Sequence, residues 1–390
     1  MLFAFVLPID EYYTPEWSGA IATVTRQLAT ELGTAGHDCV VFAPDDGAAV
    51  YSGHPVTRLE FGPAHRRPVL ARKVGSAVAR FRGLPRWDYA AYWSAVRRAL
   101  GRVPDVDVVV VANDPVTAAR LARRNRSARI VLWLHNFLDV AATEALRSVP
   151  EDVLVVAVSE AVALTTATRS GGACVPLVAH NGVDTRAFHP PLQPPTGQPL
   201  RVVCHGRIDP NKGQDAAALA VAMLRRAGHD VELTVIGESR TFGFDAAVAD
   251  AYAARVRDAV AQAGGRMLGW MPHEDLAGEL RTHDIACALS RVHEPFGLAA
   301  LEAMASGCAV IATSTGGLPE VVGSAGVTVA PDSPEEVAAA ILGLSDLERL
   351  REVRRACAER AATFTWAATA GRLLELLDAS QPASDSQTRA

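Results

Sequence analysis

Lysine is almost missing from this chain of 390 residues. Of 38 basic residues only Lys73 and Lys212 are lysine, and the remainder are arginine. That bias, with abundant Ala, Gly, Pro and Val, fits a GC-rich genome and makes each surviving lysine worth explaining. Paired cysteines are missing too. The six cysteines, at 39, 174, 204, 287, 308 and 357, form no C-x-x-C pair. This argues against a zinc ribbon or a disulfide framework and for reduced thiols in a cytoplasmic protein. No apolar run approaches the ~18 residues of a membrane-spanning helix. Met1 to Leu7 lacks a basic leader and reaches Pro8 too soon for a signal peptide. Basic charge is not in excess: a net charge of −5 and a pI near 6.1 argue against a nucleic-acid partner. No G-x-G-x-x-G follows the first apolar run, which counts against a dinucleotide-binding dehydrogenase.

What is present is apolar substance in a repeating order. Hydrophobic residues make up 49% of the chain, enough for two domains with a core each. Apolar runs at 2–7, 39–43, 106–112, 130–134 and 153–158 read as buried parallel strands. A helix runs from a cap at Ser18 to about Leu32, where Gly33 and Gly36 break it. Five prolines within 189–199 read as a linker. Strands then resume at 200–205, 231–236, 267–268, 285–289, 309–312 and 327–330. A last helix covers 364–378, and 379–390 is polar enough to be expected disordered. The fold class is α/β, built from two doubly wound Rossmann-like halves.

Two stretches carry chemistry. In Glu294-Pro-Phe-Gly-Leu-Ala-Ala-Leu-Glu302, a helix-like run from Leu298 to Ser306 opens just after a loop and stops at Gly307. The amides of Phe296, Gly297 and Leu298 then point outward, as helix starts do, and attract anions and sugar oxygens. A carboxylate such as Glu302 accepts two hydrogen bonds side by side, which suits a vicinal diol. The second stretch is Gly206-Arg207-Ile208-Asp209-Pro210-Asn211-Lys212-Gly213, directly after a strand. Lysine is kept here in a chain that otherwise uses arginine, so a compact ammonium is wanted. His135 lies at the carboxyl end of the 130–134 strand, where ligands of such sheets sit. Asp105-Val106-Asp107 spells a D-x-D, but it precedes a buried strand and is not read as a metal site.

These stretches resemble the E-x7-E signature and the G-R-x3-x-K-G turn of family-four retaining glycosyltransferases. Asn181-Gly182-Val183-Asp184 and Gly316-Gly317-Leu318-Pro319-Glu320 resemble two further turns of that family. The resemblance implies the GT-B architecture, two Rossmann-like domains facing a central cleft. An acceptor-binding domain would cover 1–188, a linker 189–199 and a nucleotide-sugar domain 200–363. Helix 364–378 would pack back onto the first domain. It further implies that Glu294 contacts donor-sugar hydroxyls and that Glu302 binds the ribose. The backbone of Phe296, Gly297 and Leu298 would face sugar and phosphates, and Arg207 and Lys212 would neutralise the diphosphate. His135 would lie close to the reacting sugar. Of the two glycines that the family usually shows at the first loop–helix junction, approaching the donor phosphates, only Gly19 is present, and it is the one expected to bind donor there. Trp270 to Asp275 falls where the family holds the nucleobase. The implied donor is a nucleotide sugar, UDP-linked, with retention of configuration and neither metal nor other cofactor.

The acceptor is expected in first-domain loops carrying Asp10, Glu11, Glu16 and Asp139. An acidic rim would suit a cationic small molecule, such as an aminocyclitol or amino sugar of an antibiotic pathway. A competing expectation uses 58–102, which holds eleven Arg or Lys against two Asp or Glu. Interleaved with them are Phe81, Trp87, Tyr89, Tyr92 and Trp93. That stretch is either a basic face for an anionic membrane or lipid-linked acceptor, or an ordinary solvated face. A catalytically silent sugar-nucleotide-binding module is the remaining alternative.

Overall fold

The computed structural model describes residues 1–15, 19–45, 47–61, 89–124, 127–194, 198–239 and 245–380. The chain forms two compact units, one from Met1–His180 joined by the chain from Trp366 onward, the other from Asn181–Thr365.

The first unit carries β1 (Leu2–Val6), α1 (Ala20–Thr34), β2 (Asp38–Pro44), β3 (Val56–Leu59), α2 (Tyr89–Leu100), β4 (Val108–Ala112) and α3 (Pro115–Arg124). It continues with β5 (Arg129–Leu134), α4 (Val140–Leu146), β6 (Leu154–Ala157), α5 (Glu160–Arg169) and β7 (Leu177–Val178). Its strands form one sheet in the order β3-β2-β1-β4-β5-β6-β7, every pair parallel. The Val-Val-Val-Val-Ala of β4 is buried throughout, as expected of a strand covered on both faces.

The second unit carries β8 (Leu200–His205), α6 (Gln214–Arg226), β9 (Val231–Ile236), α7 (Ala246–Gln262), β10 (Arg266–Met267), α8 (His273–Leu280) and β11 (Ile285–Ala288). After these come α9 (Leu298–Ala305), β12 (Ala309–Thr313), α10 (Leu318–Val322), β13 (Val327–Val329), α11 (Pro334–Gly343) and α12 (Leu347–Ala361). The sheet order is β10-β9-β8-β11-β12-β13, again parallel. In each sheet the strand order reverses once, between β1 and β4 and between β8 and β11. Loops leaving the carboxyl ends of those neighbours diverge and leave a crevice.

The last helix, α13 (Trp366–Ala379), packs on α1 in the first unit. There the Thr369 hydroxyl donates to the His180 carbonyl at 2.7 Å, and Arg129 donates to the Leu377 carbonyl.

By contact the two compact units meet at His180/Asn181. Val183 donates its N–H to the Phe364 carbonyl (2.9 Å), and Arg281 holds the Ala187 carbonyl (2.9 Å). Those bonds fasten 181–188 to the second unit. Linker residues 195–197 and the tail from 381 lie outside the described residues. So does Ser18, the expected cap of α1. Gly19 takes the cap position without a side-chain bond, and the Glu11 carboxylate accepts the Ala22 N–H instead (2.9 Å).

The aromatic residues of the basic stretch, where described, are not an exposed face. Tyr92 is buried and donates to the Leu7 carbonyl at 2.7 Å. Tyr89 is buried and donates to the Asp114 carboxylate at 2.7 Å. Trp93 is half-buried beneath the Arg120 guanidinium. Residues 62–88, with Phe81 and Trp87, lie outside the described residues. Among the described residues no helix is long and apolar enough to cross a membrane.

Candidate active site

Adjacency of β8 and β11 brings two distant loops together. The loop after β8 runs from Gly206 to Gly213, and the loop after β11 from Leu289 to Gly297. They touch so closely that a Cβ on Gly213 would sit 2.2 Å from the Leu289 carbonyl oxygen. Gly213 has φ +67°, so glycine answers both the backbone angle and the space. Across this contact Lys212 Nζ lies 2.6 Å from Glu294 Oε2. The Ser290 hydroxyl donates to the same oxygen at 2.8 Å. Ser290 is fixed in turn, its carbonyl accepting from the hydroxyls of Thr313 (2.7 Å) and Thr315 (3.2 Å). Gly317 donates its N–H to the Glu294 carbonyl at 2.7 Å. Burial pushes the Glu294 carboxyl up, but Lys212, Ser290 and Arg207 outweigh it, and its pKa falls below the usual carboxylate value.

Helix α9 starts at Leu298 behind Gly297, whose φ is +109°. The first N–H groups of such a helix have no acceptor within it. Phe296 is buried edge-on against Phe364, with ring centroids 6.1 Å apart, which anchors the loop entering the helix. Glu302 sits on α9 between two imidazoles: Oε2 is 3.3 Å from His205 Nε2, and Oε1 is 3.3 Å from His273 Nε2. Burial opposes its ionisation, yet hydrogen bonds from His205 and His273 prevail and hold it at about 2. Arg207 Nε donates to Asp209 Oδ2 at 2.7 Å, and the Arg207 side chain is 38% exposed.

The structure thus gathers Arg207, Lys212, Glu294, Phe296, Gly297, Leu298 and Glu302 around one switch point. Sequence reasoning missed Ser290 and His205, and it reached His273 only as part of the Trp270 to Asp275 stretch, not as a partner of Glu302. His205 carried the same signal as His135, a histidine at the carboxyl end of a parallel strand. Ser290 carried none, because its meaning depends on which strands are neighbours.

In the first unit, His135 follows β5 and stacks on Trp133 at 5.8 Å with an 11° tilt. Its backbone N–H donates to Asn113 Oδ1 at 2.7 Å. Its ring lines a small cavity with Trp133, Phe5, Val24, Thr25 and Val110. Burial pushes the imidazole down to about 3, so it is neutral near pH 7. The carboxylates expected to rim an acceptor pocket fare differently. Glu11 is buried, and a Cβ on Gly19 would lie 2.6 Å from both of its carboxylate oxygens. The α1 start, where Gly19 was expected to meet donor phosphate, is therefore filled by the chain's own carboxylate. Asp139 caps α4 by accepting the Ala142 N–H at 2.7 Å. Asp10 is exposed, and Glu16 lies outside the described residues.

Comparison with known proteins adds the family. Residues 21–187 match the profile described as Glycosyltransferase Family 4, and residues 199–346 that of Glycosyl transferases group 1. The chain belongs to glycosyltransferase family 4. A D-inositol 3-phosphate glycosyltransferase of Segniliparus rotundus is 38% identical over 174 residues, which is 43% of this chain and 37% of that protein. This chain therefore matches well under half the length of that relative. A glycogen synthase of Mycobacterium tuberculosis is 27% identical across 93% of this chain and 91% of its own. Among solved structures, Anabaena Alr3699/HepE in complex with UDP and glucose superposes with a TM-score of 0.73 at 19% identity, over 96% of this chain and 99% of that one. The likeness shows the fold of this family-4 member to be GT-B.

Proposed function

We propose that this protein is a glycosyltransferase that moves a hexosyl group from a nucleotide sugar to a hydroxyl acceptor. The observation that carries the reading is the 2.6 Å Lys212–Glu294 pair at the β8/β11 switch point, with Arg207 on the same loop. A donor diphosphate offers Lys212 a second anionic partner, and Glu294 is then free to accept from sugar hydroxyls. The amides of Phe296, Gly297 and Leu298 face sugar and phosphates. Glu302, an ionised double acceptor, suits the ribose diol. Transfer follows by front-face displacement: the bond from C1 to the diphosphate oxygen breaks, the acceptor oxygen joins C1 on the same face, and the acceptor proton passes to the departing diphosphate. Configuration is retained. Arg207 and Lys212 take up the charge that grows on the leaving group, so the reading calls on neither metal nor other cofactor.

A UDP-linked donor is the reading for the nucleotide, supported by the UDP and glucose bound to Alr3699/HepE. The acceptor is assigned only as a hydroxyl compound. With Glu11 and Asp139 both engaged at helix starts, the support for a cationic aminocyclitol acceptor is withdrawn. The names of the two relatives, one acting on an inositol phosphate and one making glycogen, differ in acceptor as well.

The test joins calorimetry with UDP, GDP and ADP to steady-state kinetics of Lys212→Ala with magnesium and with chelator. Lys212→Ala is expected to lower kcat by roughly 10²–10³, the typical cost of removing one such stabilising group. Wild-type turnover in that variant, or loss of wild-type activity with chelator, overturns the mechanism.

A further inference from the structure

Beside the Lys212–Glu294 pair lies a half-buried ionic cluster that the proposed chemistry does not use, centred on Arg291. Its side chain is 18% exposed and makes contacts in three directions. Nη2 lies 2.8 Å from the Asp215 carboxylate in the first turn of α6. Nε meets Asp332 at 2.6 Å, beyond β13. Nη1 donates to the Pro210 carbonyl at 3.0 Å and reaches the Tyr252 hydroxyl at 3.3 Å. The Arg291 backbone N–H also donates to the Asn211 carbonyl, at 2.8 Å. Asp215 is buried and receives further bonds from the Tyr252 hydroxyl (2.7 Å) and from Arg255.

The placement of these bonds is informative. Pro210 and Asn211 immediately precede Lys212, while Gly213, just after it, presses on the Leu289 carbonyl. Arg291 itself stands between Ser290 and Glu294 on the facing loop. The two loops are therefore fastened on either side of Lys212, and apart from the Lys212–Glu294 pair itself, the side chain that spans them among the bonds described is Arg291. A planar guanidinium with five donors can serve Pro210, Asp215 and Asp332 together, where an ammonium or an amide cannot.

We propose that Arg291 is a positioning residue that holds the Lys212 turn against the Glu294 loop, so that the lysine reaches the leaving group in register with the carboxylate on the sugar. The inference rests on the proposed function for its kinetic consequence but not for its structural one. Without the fastening, Lys212 keeps its charge and loses its place. A displacement of about 1 Å from a change that does not touch substrate costs on the order of 10²-fold in rate.

The experiment uses the scarcity of lysine. With two lysines in the chain, ¹³C labelling of lysine gives two Cε signals, and Lys73→Arg identifies the Lys212 signal. In the wild type that signal is expected apart from the free-lysine position. In Arg291→Gln it is expected to move toward that position, with kcat lowered roughly 10- to 100-fold and donor KM changed less. A second arm compares Lys212→Ala in the wild type and in Arg291→Gln. If Arg291 acts through Lys212, the second change costs several-fold less in the altered background, whereas a merely structural role gives equal costs. Should Arg291→Gln fail to fold, Asp332→Gly replaces it, since Asp332 is exposed and its φ of +58° suits glycine. A Lys212 signal that stays in place in the folded variant, or equal costs in both backgrounds, overturns the inference. A wild type that binds no nucleoside diphosphate and transfers no sugar sinks the proposed function instead, and the Lys212 signal still decides the role of Arg291.

Discussion

Three half-buried titratable side chains, Glu294, Glu302 and His135, keep their charge states by different means. Glu294 is held ionised by Lys212, Ser290 and Arg207 despite burial, and Glu302 by two histidines. His135 has no such help: Nδ1 is buried and without a hydrogen bond among the described residues, and burial alone sets its pKa near 3. An unfolded chain binds its proton near pH 6.5. Between about pH 6.5 and 3 the unfolded state therefore holds more protons on this residue, and stability must fall as pH falls. The slope is on the order of 1 kcal/mol per pH unit for one fully shifted group. His135→Leu should flatten that part of the profile. Thermal unfolding of both proteins between pH 7 and pH 5 measures it. Equal slopes would mean that the imidazole is not buried neutral. A neutral ring at the end of β5 can donate or accept a hydrogen bond toward a sugar hydroxyl, but it carries no charge to the reaction at pH 7.

At the scale of elements, the site depends on loops pressed together at glycines. Gly316 follows β12 with φ +58°, and a Cβ there would sit 2.1 Å from the Glu294 carbonyl oxygen and 2.5 Å from its nitrogen. Gly316→Ala should displace the Glu294 backbone. It should destabilise by about 2–4 kcal/mol, adding left-handed strain to overpacking. Activity should fall further than the folded fraction does. Chemical denaturation beside kcat separates the two, and a variant with unchanged turnover would show that the loop tolerates the shift. The turn containing Gly316 was visible in the sequence, but not what it presses on.

The same contrast holds elsewhere. The strands were legible because a parallel sheet buried on both faces demands unbroken apolar runs such as Val108–Ala112. The short edge strands β3 and β7 were not, since Val-Thr-Arg-Leu and Leu-Val carry little pattern. Helix α9 and its stop at Gly307 were legible from a loop, an apolar run and a glycine, which has φ +85°. Asp139 and Glu11 were misread as an acceptor rim because a carboxylate in a loop looks alike whether it meets a ligand or a helix start. Only the backbone that it faces decides. Tyr89 and Tyr92 were misread for a related reason: an aromatic residue among arginines reads as exposed until its partners, here the Leu7 carbonyl and the Asp114 carboxylate, are known.

For the whole molecule, the division of labour is uneven. Each unit has its own parallel sheet and core, yet Arg207, Lys212, Glu294 and Glu302 all belong to the second. The Gly19 junction in the first is already filled by Glu11. A nucleoside diphosphate should therefore stabilise the second unit directly. Ligand at a hundred times its Kd contributes about 2.7 kcal/mol to the state that binds it. Hydrogen exchange with saturating UDP should show slower exchange at 206–213 and 289–302, the amides that the proposed function sets against the phosphates and ribose. The amides of β1, β4 and β5 gain no ligand contact by this assignment and should exchange as before. Glu302→Gln should keep the fold and lose part of the protection, since an amide cannot accept two ribose hydroxyls side by side. The loss in affinity is on the order of 1.5–3 kcal/mol for one charged hydrogen bond. Protection that appears at 19–22 and spares 289–302 would move the diphosphate to the α1 start. It would require Glu11 to leave its place there, and the assignment of the donor to the β8/β11 switch point would be wrong.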